Sequence, residues 1–257
     1  MRILILGGTT ESARLAQRLA GDTRFAPTLS LAGRTAAPAA PPIAYRIGGF
    51  GGMGALRQWL RDEGIEAVID ATHPFAAQIS KNAVAAAKAE SVPLLSLLRP
   101  AWAPQQGDRW IEVADMDAAA AALGEAPRRV FLTIGRQEVA AFEAAPQHRY
   151  LIRSIEAPQP EDLPPNAELL LARGPFDEAA ETALLRERSI DILVSKNSGG
   201  AATAPKLAAA RSLNLPVVMV QRPEKPAGVH SVADAEAALA WLEALRAHRA
   251  SPSERAV

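Results

Sequence analysis

A short apolar run, Ile3-Leu4-Ile5-Leu6, passes into Gly7-Gly8-Thr9-Thr10-Glu11-Ser12 and then into a helical pattern. Glycines at such a turn let the backbone approach a phosphate, and the helix N-terminus adds unpaired N–H groups and a partial positive charge. The string departs from the dinucleotide fingerprint G-x-G-x-x-G, which needs glycine where Thr9 and Ser12 stand. Taken alone, a strand-to-helix turn capped by Thr9 or Thr10 accounts for it as well. About twenty residues further on, where NAD-specific folds hold the ribose hydroxyls with an acid, the chain has Gly33-Arg34-Thr35. An arginine fork followed by a hydroxyl suits a 2′-phosphate, so NADPH is the expected cofactor, held by the residues of the glycine string with Arg34 and Thr35.

Three more strings have the composition of ligand loops. Gly48-Gly49-Phe50-Gly51-Gly52 is too rich in glycine for a hairpin because a helix follows it, and Gly49 is the expected point of close approach to the cofactor. Asp70-Ala71-Thr72-His73-Pro74-Phe75 ends a strand, where Thr72, His73 and Pro74 would face the nicotinamide. His73 has the chemistry of an acid, but a lone histidine before proline is more often a capped structural residue, and no catalytic acid is assigned. Ser195-Lys196-Asn197-Ser198-Gly199-Gly200 combines a cation, hydroxyls, an amide and two glycines before a helix, the makings of an anion nest or of an ornate helix cap.

Cations recur just after the expected strands: Arg34, Arg99, Arg136, Arg153, Arg173, Lys196 and Arg222. Basic residues in exposed loops are common, and any one of these needs no explanation. As a set they suit a ligand with several carboxylates or phosphates, because ligands of doubly wound sheets bind outside the carboxyl ends of the strands. Arg99, Arg136, Ser195, Lys196, Asn197, Ser198, Gly199 and Arg222 are the expected substrate-binding residues. The whole chain is neutral, with 28 Lys and Arg against 28 Asp and Glu, so no general field draws it to nucleic acid or to an anionic membrane.

The elements that must position these loops alternate short strand-like runs with helical patterns, which argues for parallel sheets covered on both faces. Strands are expected at 2–6, 27–31, 43–47, 67–70 and 93–98, and again at 130–134, 149–153, 168–171, 192–194 and 216–220. Helices are expected near 12–20, 54–62, 76–89 and 233–246, the last able to pack on either half. Arg99-Pro100-Ala101-Trp102-Ala103-Pro104 resists regular structure and separates the two series. The reading is of two Rossmann-like, doubly wound α/β domains, 1–99 for the nucleotide and 100–257 for the substrate, with the site in the cleft between them. Residues 157–165 form a loop and 248–257 a frayed tail.

The chain has no cysteine, which removes thiolate nucleophiles and disulfides and fits a reducing cytoplasm. Its start runs into glycines rather than a signal-peptide core, and no apolar run approaches the roughly 20 residues of a membrane span. A soluble protein is expected, a monomer being the simplest state. No Walker loop, no G-x-S-x-G elbow and no metal-ligand spacing occur among the four histidines. A bound nicotinamide is then the natural carrier of the chemistry.

The glycine string at 7–12, Gly33-Arg34, Gly48-Gly49, Asp70-Ala71-Thr72-His73-Pro74-Phe75-Ala76, Arg99-Pro100, Gly135-Arg136, the string at 195–200 and Arg222-Pro223 run in order through most of the chain. Together they resemble the precorrin-6A reductase (precorrin-6x reductase) family of cobalamin biosynthesis, the strings at 70–76 and 195–200 being the specific ones. The resemblance implies reduction of one double bond of a polycarboxylated tetrapyrrole by NADPH, from precorrin-6A to precorrin-6B, without metal or flavin. Two other classes share parts of the pattern. A two-domain lyase such as uroporphyrinogen-III synthase would need the cations but no nucleotide, and a nucleotide-sensing regulator would need the first loop but not the second cationic edge.

Overall fold

Alternate side chains of Arg2–Leu6 (β1) point to opposite sides of a sheet, and both sides are apolar. Ile3 and Ile5 enter one core with Leu15 and Leu19, whereas Leu4 and Leu6 enter another with Leu56, Leu60, Ala83 and Ala86. A strand buried on both faces is the mark of a parallel sheet between two helix layers. The computed structural model, which describes residues 1–33 and 40–250, builds two such sheets, each in its own unit.

In the first unit β1 is followed by Thr10–Leu19 (α1), Ala26–Leu31 (β2), Ala44–Ile47 (β3), Met53–Asp62 (α2), Ala67–Asp70 (β4), Ala77–Ala89 (α3) and Leu94–Leu97 (β5). The second contains Arg109–Val113 (β6), Met116–Ala121 (α4), Arg129–Thr133 (β7), Arg149–Ser154 (β8), Ala167–Leu171 (β9), Glu178–Glu187 (α5), Ile192–Lys196 (β10), Pro205–Ser212 (α6) and Pro216–Val220 (β11). A 3-10 run, Arg136–Ala144, takes the place of a helix after β7. Last come His230–Val232 (β12) and Ala235–Ala250 (α7).

The strand orders are β12-β5-β4-β1-β2-β3 and β6-β11-β10-β7-β8-β9, every pairing parallel. Both follow the doubly wound order, with the topological switch point between β1 and β4 in one sheet and between β7 and β10 in the other. The sixth place in each sheet is filled by the strand that simple sequence order would give to the other.

This exchange corrects the expected boundaries of 1–99 and 100–257. The first unit is Met1–Pro100 together with the stretch beginning at Glu224, and the second is Ala101–Pro223. Ala235, Ala238 and Leu242 of α7 are buried in the core of β1 and β5, which holds the C-terminal segment in the first unit. Neither β6 nor β12 was expected from the sequence. The first is an edge strand with partly exposed residues, the second has three residues, and each gains its pairing from chain far away. The tail expected from 248 is helical to Ala250, and the loop at 157–165 contains a 3-10 turn, Pro160–Asp162. Among the described residues no helix is long and apolar enough to cross a membrane.

Candidate active site

At the switch point of the first sheet, Leu6 is in register with Asp70, so the loops after β1 and β4 leave the sheet at the same level. Thr9 is the N-cap of α1: its Oγ1 accepts from Ser12 N at 3.2 Å and donates to Ala71 O at 2.8 Å. Ser12 completes the capping box, its Oγ accepting from Gly8 N and Thr9 N at 3.1 Å. The glycine string is thus a capped turn, and one of its caps reaches the next loop. Packing favours glycine at 7, since a Cβ there would sit 2.6 Å from Leu29 Cδ1 and 3.2 Å from Ser12 Oγ and the buried Leu29 side chain would have to shift. Gly8 has φ 113°, and a Cβ on it would meet nothing within 4 Å. Open space lies in front of that turn. The N–H groups of Thr10 and Glu11 donate to no described residue, which leaves helix-terminal donors for an anion. These features fit a dinucleotide phosphate.

Glu11 does not stand alone in that first turn. Arg99 Nη1 donates to its Oε2 at 2.7 Å, so Arg99, expected on the substrate, lies in the first unit beside the glycine loop. Gly48 and Gly49 are held by a residue that the sequence reading passed over. Arg46 donates to Ser30 Oγ at 2.8 Å, Gly48 O at 2.9 Å and Gly49 O at 3.2 Å, with its guanidinium 3.9 Å from the centre of the Phe50 ring. Burial lowers the pKa of Arg46 from its ordinary value. Thr72 is buried against Asp70, and His73 Nδ1 accepts from Phe75 N at 3.3 Å, which assigns the ring proton of a neutral His73 to Nε2. Lys225, from the segment leading to β12, also reaches Asp70 and was not foreseen. Arg34 and Thr35 lie outside the described residues.

The second sheet repeats the arrangement at β7 and β10, where Thr133 Oγ1 donates to Val194 O at 2.9 Å. Gly135, with φ 83°, opens the 3-10 run, Arg136 pairs with Glu156 at 2.9 Å and Lys196 pairs with Glu138. Asn197 commits its side chain to Trp102, accepting from its N at 2.8 Å and donating to its O at 3.0 Å. Ser195 is fully buried, its Oγ bonded to Lys196 O. Ser198 N donates to Lys196 O at 2.7 Å and Gly199 takes φ 70°, which turns the loop sharply. Arg222 Nε donates to Asn197 O at 2.7 Å, so the loops after β10 and β11 are joined. Arg136, Lys196 to Gly199 and Arg222 therefore occupy the carboxyl edge of one sheet.

Arg153 differs from the other strand-end cations. It is turned inward, with Nη2 2.8 Å from Glu181 Oε2 and its guanidinium 3.8 Å from the centre of the Phe176 ring. A buried carboxylate and an aromatic face account for it without a ligand.

Two Rossmann-like sheets with loops gathered at each switch point define a class of α/β proteins that bind ligands at the carboxyl ends of their strands. The family model described as precorrin-6x reductase CbiJ/CobK matches residues 2–243. The chain belongs to that family. It is 55% identical over 238 residues to a precorrin-6A reductase of a Sinorhizobium species, with 93% of this chain and 91% of the relative covered. It is 51% identical over 241 residues to that of Rhodobacter capsulatus, covering 94% and 95%. A solved structure titled CobK precorrin-6A reductase superposes with a TM-score of 0.89 at 51% identity, over 95% of this chain and 97% of the other.

Proposed function

We propose that this protein reduces one double bond of precorrin-6A with NADPH and a proton taken up from solution, giving precorrin-6B and NADP+ in cobalamin biosynthesis. The observation that carries the reading is the joining of the 7–12 and 70–75 loops at the first switch point through Thr9 Oγ1 and Ala71 O, in a member of the precorrin-6x reductase family. The same family membership disfavours the lyase and the regulator.

Gly7 and Gly8 allow the backbone to approach the pyrophosphate, Thr9 and Ser12 set the loop, and the N–H groups of Thr10 and Glu11 receive the anion. Gly49 would border the nucleotide, and Thr72, His73 and Pro74 would border the nicotinamide, which when bound would supply hydride. Arg34 with Thr35 takes the 2′-phosphate. On the second sheet Arg136, Lys196 and Arg222, with the turn at Ser198 and Gly199, hold the carboxylates of the macrocycle, while Ser195 and Asn197 keep that loop in shape. Holding the reacting atoms at roughly 3–3.5 Å would supply much of the rate, and cations beside the macrocycle would stabilise the negative charge it gains.

Anaerobic incubation with precorrin-6A and NADPH, followed by absorption spectra, tests the reaction: the macrocycle spectrum should change as NADPH is consumed. A protein that binds both and consumes neither contradicts the reading. Arg34→Ala should weaken NADPH far more than NADH, and an equal loss for both would remove Arg34 from cofactor selection.

A further inference from the structure

β4 ends on Asp70, a carboxylate only 3% exposed at a ligand-facing strand end. Its Oδ1 accepts from Thr72 Oγ1 at 2.6 Å and from Thr72 N at 3.2 Å. Its Oδ2 lies 3.4 Å from Lys225 Nζ, and the same ammonium donates to Ser80 Oγ at 2.7 Å. Ser80, fully buried on α3, stands 3.4 Å from Thr72 Oγ1. Four side chains, three from the stretch 70–80 and the fourth from Lys225, thus close a ring of polar contacts. A buried carboxylate without a countercharge is costly, and a fully satisfied polar ring rigidifies its members.

The ring holds the turn at 70–73 from one side, and Thr9 holds the same turn from the other through Ala71 O. We infer that Lys225 is a positioning residue for hydride transfer: through Asp70 and Ser80 it fixes the Thr72-His73-Pro74 turn against which the nicotinamide lies. The inference rests on the proposed placement of the cofactor. Lys225 touches no reacting atom in this account. Its side chain arrives on the segment between Pro223 and β12, so the last part of the first unit sets the geometry of a loop built some 150 residues earlier, the separation of Lys225 from Asp70 being 155.

The test compares Lys225→Met, Lys225→Arg and the double variant Lys225→Met with Asp70→Asn, alongside Thr72→Val and His73→Ala. Lys225→Met leaves a buried charge unpaired and lowers thermal stability; Asp70→Asn removes that charge and restores it. Single-turnover hydride transfer should remain about 10- to 100-fold slow in the double variant, the scale of a small misplacement of reacting groups. Its NADPH dissociation constant should change less than about threefold, a split between binding and chemistry that loss of stability alone does not give. Amide exchange at 71–76, read without ligands, should speed up, and Lys225→Arg should recover much of the rate. If the double variant transfers hydride at the parental rate while Thr72→Val and His73→Ala are slowed, the inference fails and the cofactor placement stands. If the two turn variants also leave binding and transfer unchanged, the placement fails and takes the inference with it.

Discussion

Arg99 and Glu11, 88 residues apart, meet at 2.7 Å at the N-terminus of α1, with side chains 13% and 16% exposed. A carboxylate in a helix's first turn favours the helix but repels a phosphate docked on the same N–H groups. Arg99 cancels that charge. Arg99→Ala should therefore weaken NADPH about 10- to 100-fold, the range for a lost charged hydrogen bond of about 1.5–3 kcal/mol. Adding Glu11→Gln should return most of the affinity. Titration calorimetry with NADPH checks both, and an Arg99→Ala protein that loses only substrate affinity would return Arg99 to the tetrapyrrole.

Gly7→Ala places a methyl group against Leu29 and Ser12. Overpacking of this kind costs typically about 1–3 kcal/mol. Because the displaced Ser12 hydroxyl is the capping group for Gly8 and Thr9, NADPH affinity should fall with stability. Gly8→Ala meets no atom but does oppose a positive φ, so its effect should come from backbone strain. Urea unfolding and NADPH binding of the two variants separate crowding from strain.

Lys206 on α6 is 4% exposed, with its ammonium 5.5 Å from the centre of the Trp102 ring. Burial first, then repulsion by Arg153 and Lys196 against the pull of Glu181, pushes its pKa from 10.5 down to about 7. Below pH 7 the amine is charged in both folded and unfolded chains, and the cost of burying that charge is fully present. Between about 7 and 10.5 the unfolded chain holds a proton that the folded one does not, so this group makes stability rise with pH. Lys206→Met should be more stable than the parent at pH 6, by an amount on the order of a few kcal/mol, and the gap should close toward pH 10. Melting curves across that range decide it; a gap independent of pH would assign the effect to packing.

Lys196→Ala and Arg222→Ala should each raise the dissociation constant of the tetrapyrrole by the equivalent of about 1.5–3 kcal/mol while leaving NADPH nearly unchanged. Added salt should weaken substrate binding in the parent more than in either variant. Loss of NADPH affinity with substrate binding intact would reverse the division of ligands between the two units.

The fold was legible where burial on both faces writes continuous apolar runs, as in Ile3-Leu4-Ile5-Leu6 and Pro216-Val217-Val218-Met219-Val220. It was not legible at β6 and β12, because an edge strand carries half a signal and a three-residue strand carries none. The candidate loops were legible from their glycines and from their place after strands. Their supports were not. Arg46 reads as an ordinary strand residue and Lys225 as an ordinary charge between prolines, and only tertiary contacts reveal what each one holds. Arg153 shows the converse, a strand-end cation whose partner, Glu181, lies 28 residues away on a helix and turns it into the core.

The exchange of sixth strands sets an order on synthesis. The second unit is one continuous stretch, Ala101–Pro223, and every strand of its sheet exists once that stretch has left the ribosome. The first unit begins earlier but lacks an edge strand and the α7 wall of its core until β12 and α7 have emerged. Domains usually mature in the order in which they are made. Here the unit begun first is finished last, so a chain truncated after Pro223 and released would carry every strand of the second sheet beside an incomplete first one, and a protease added to such chains should cut the older half.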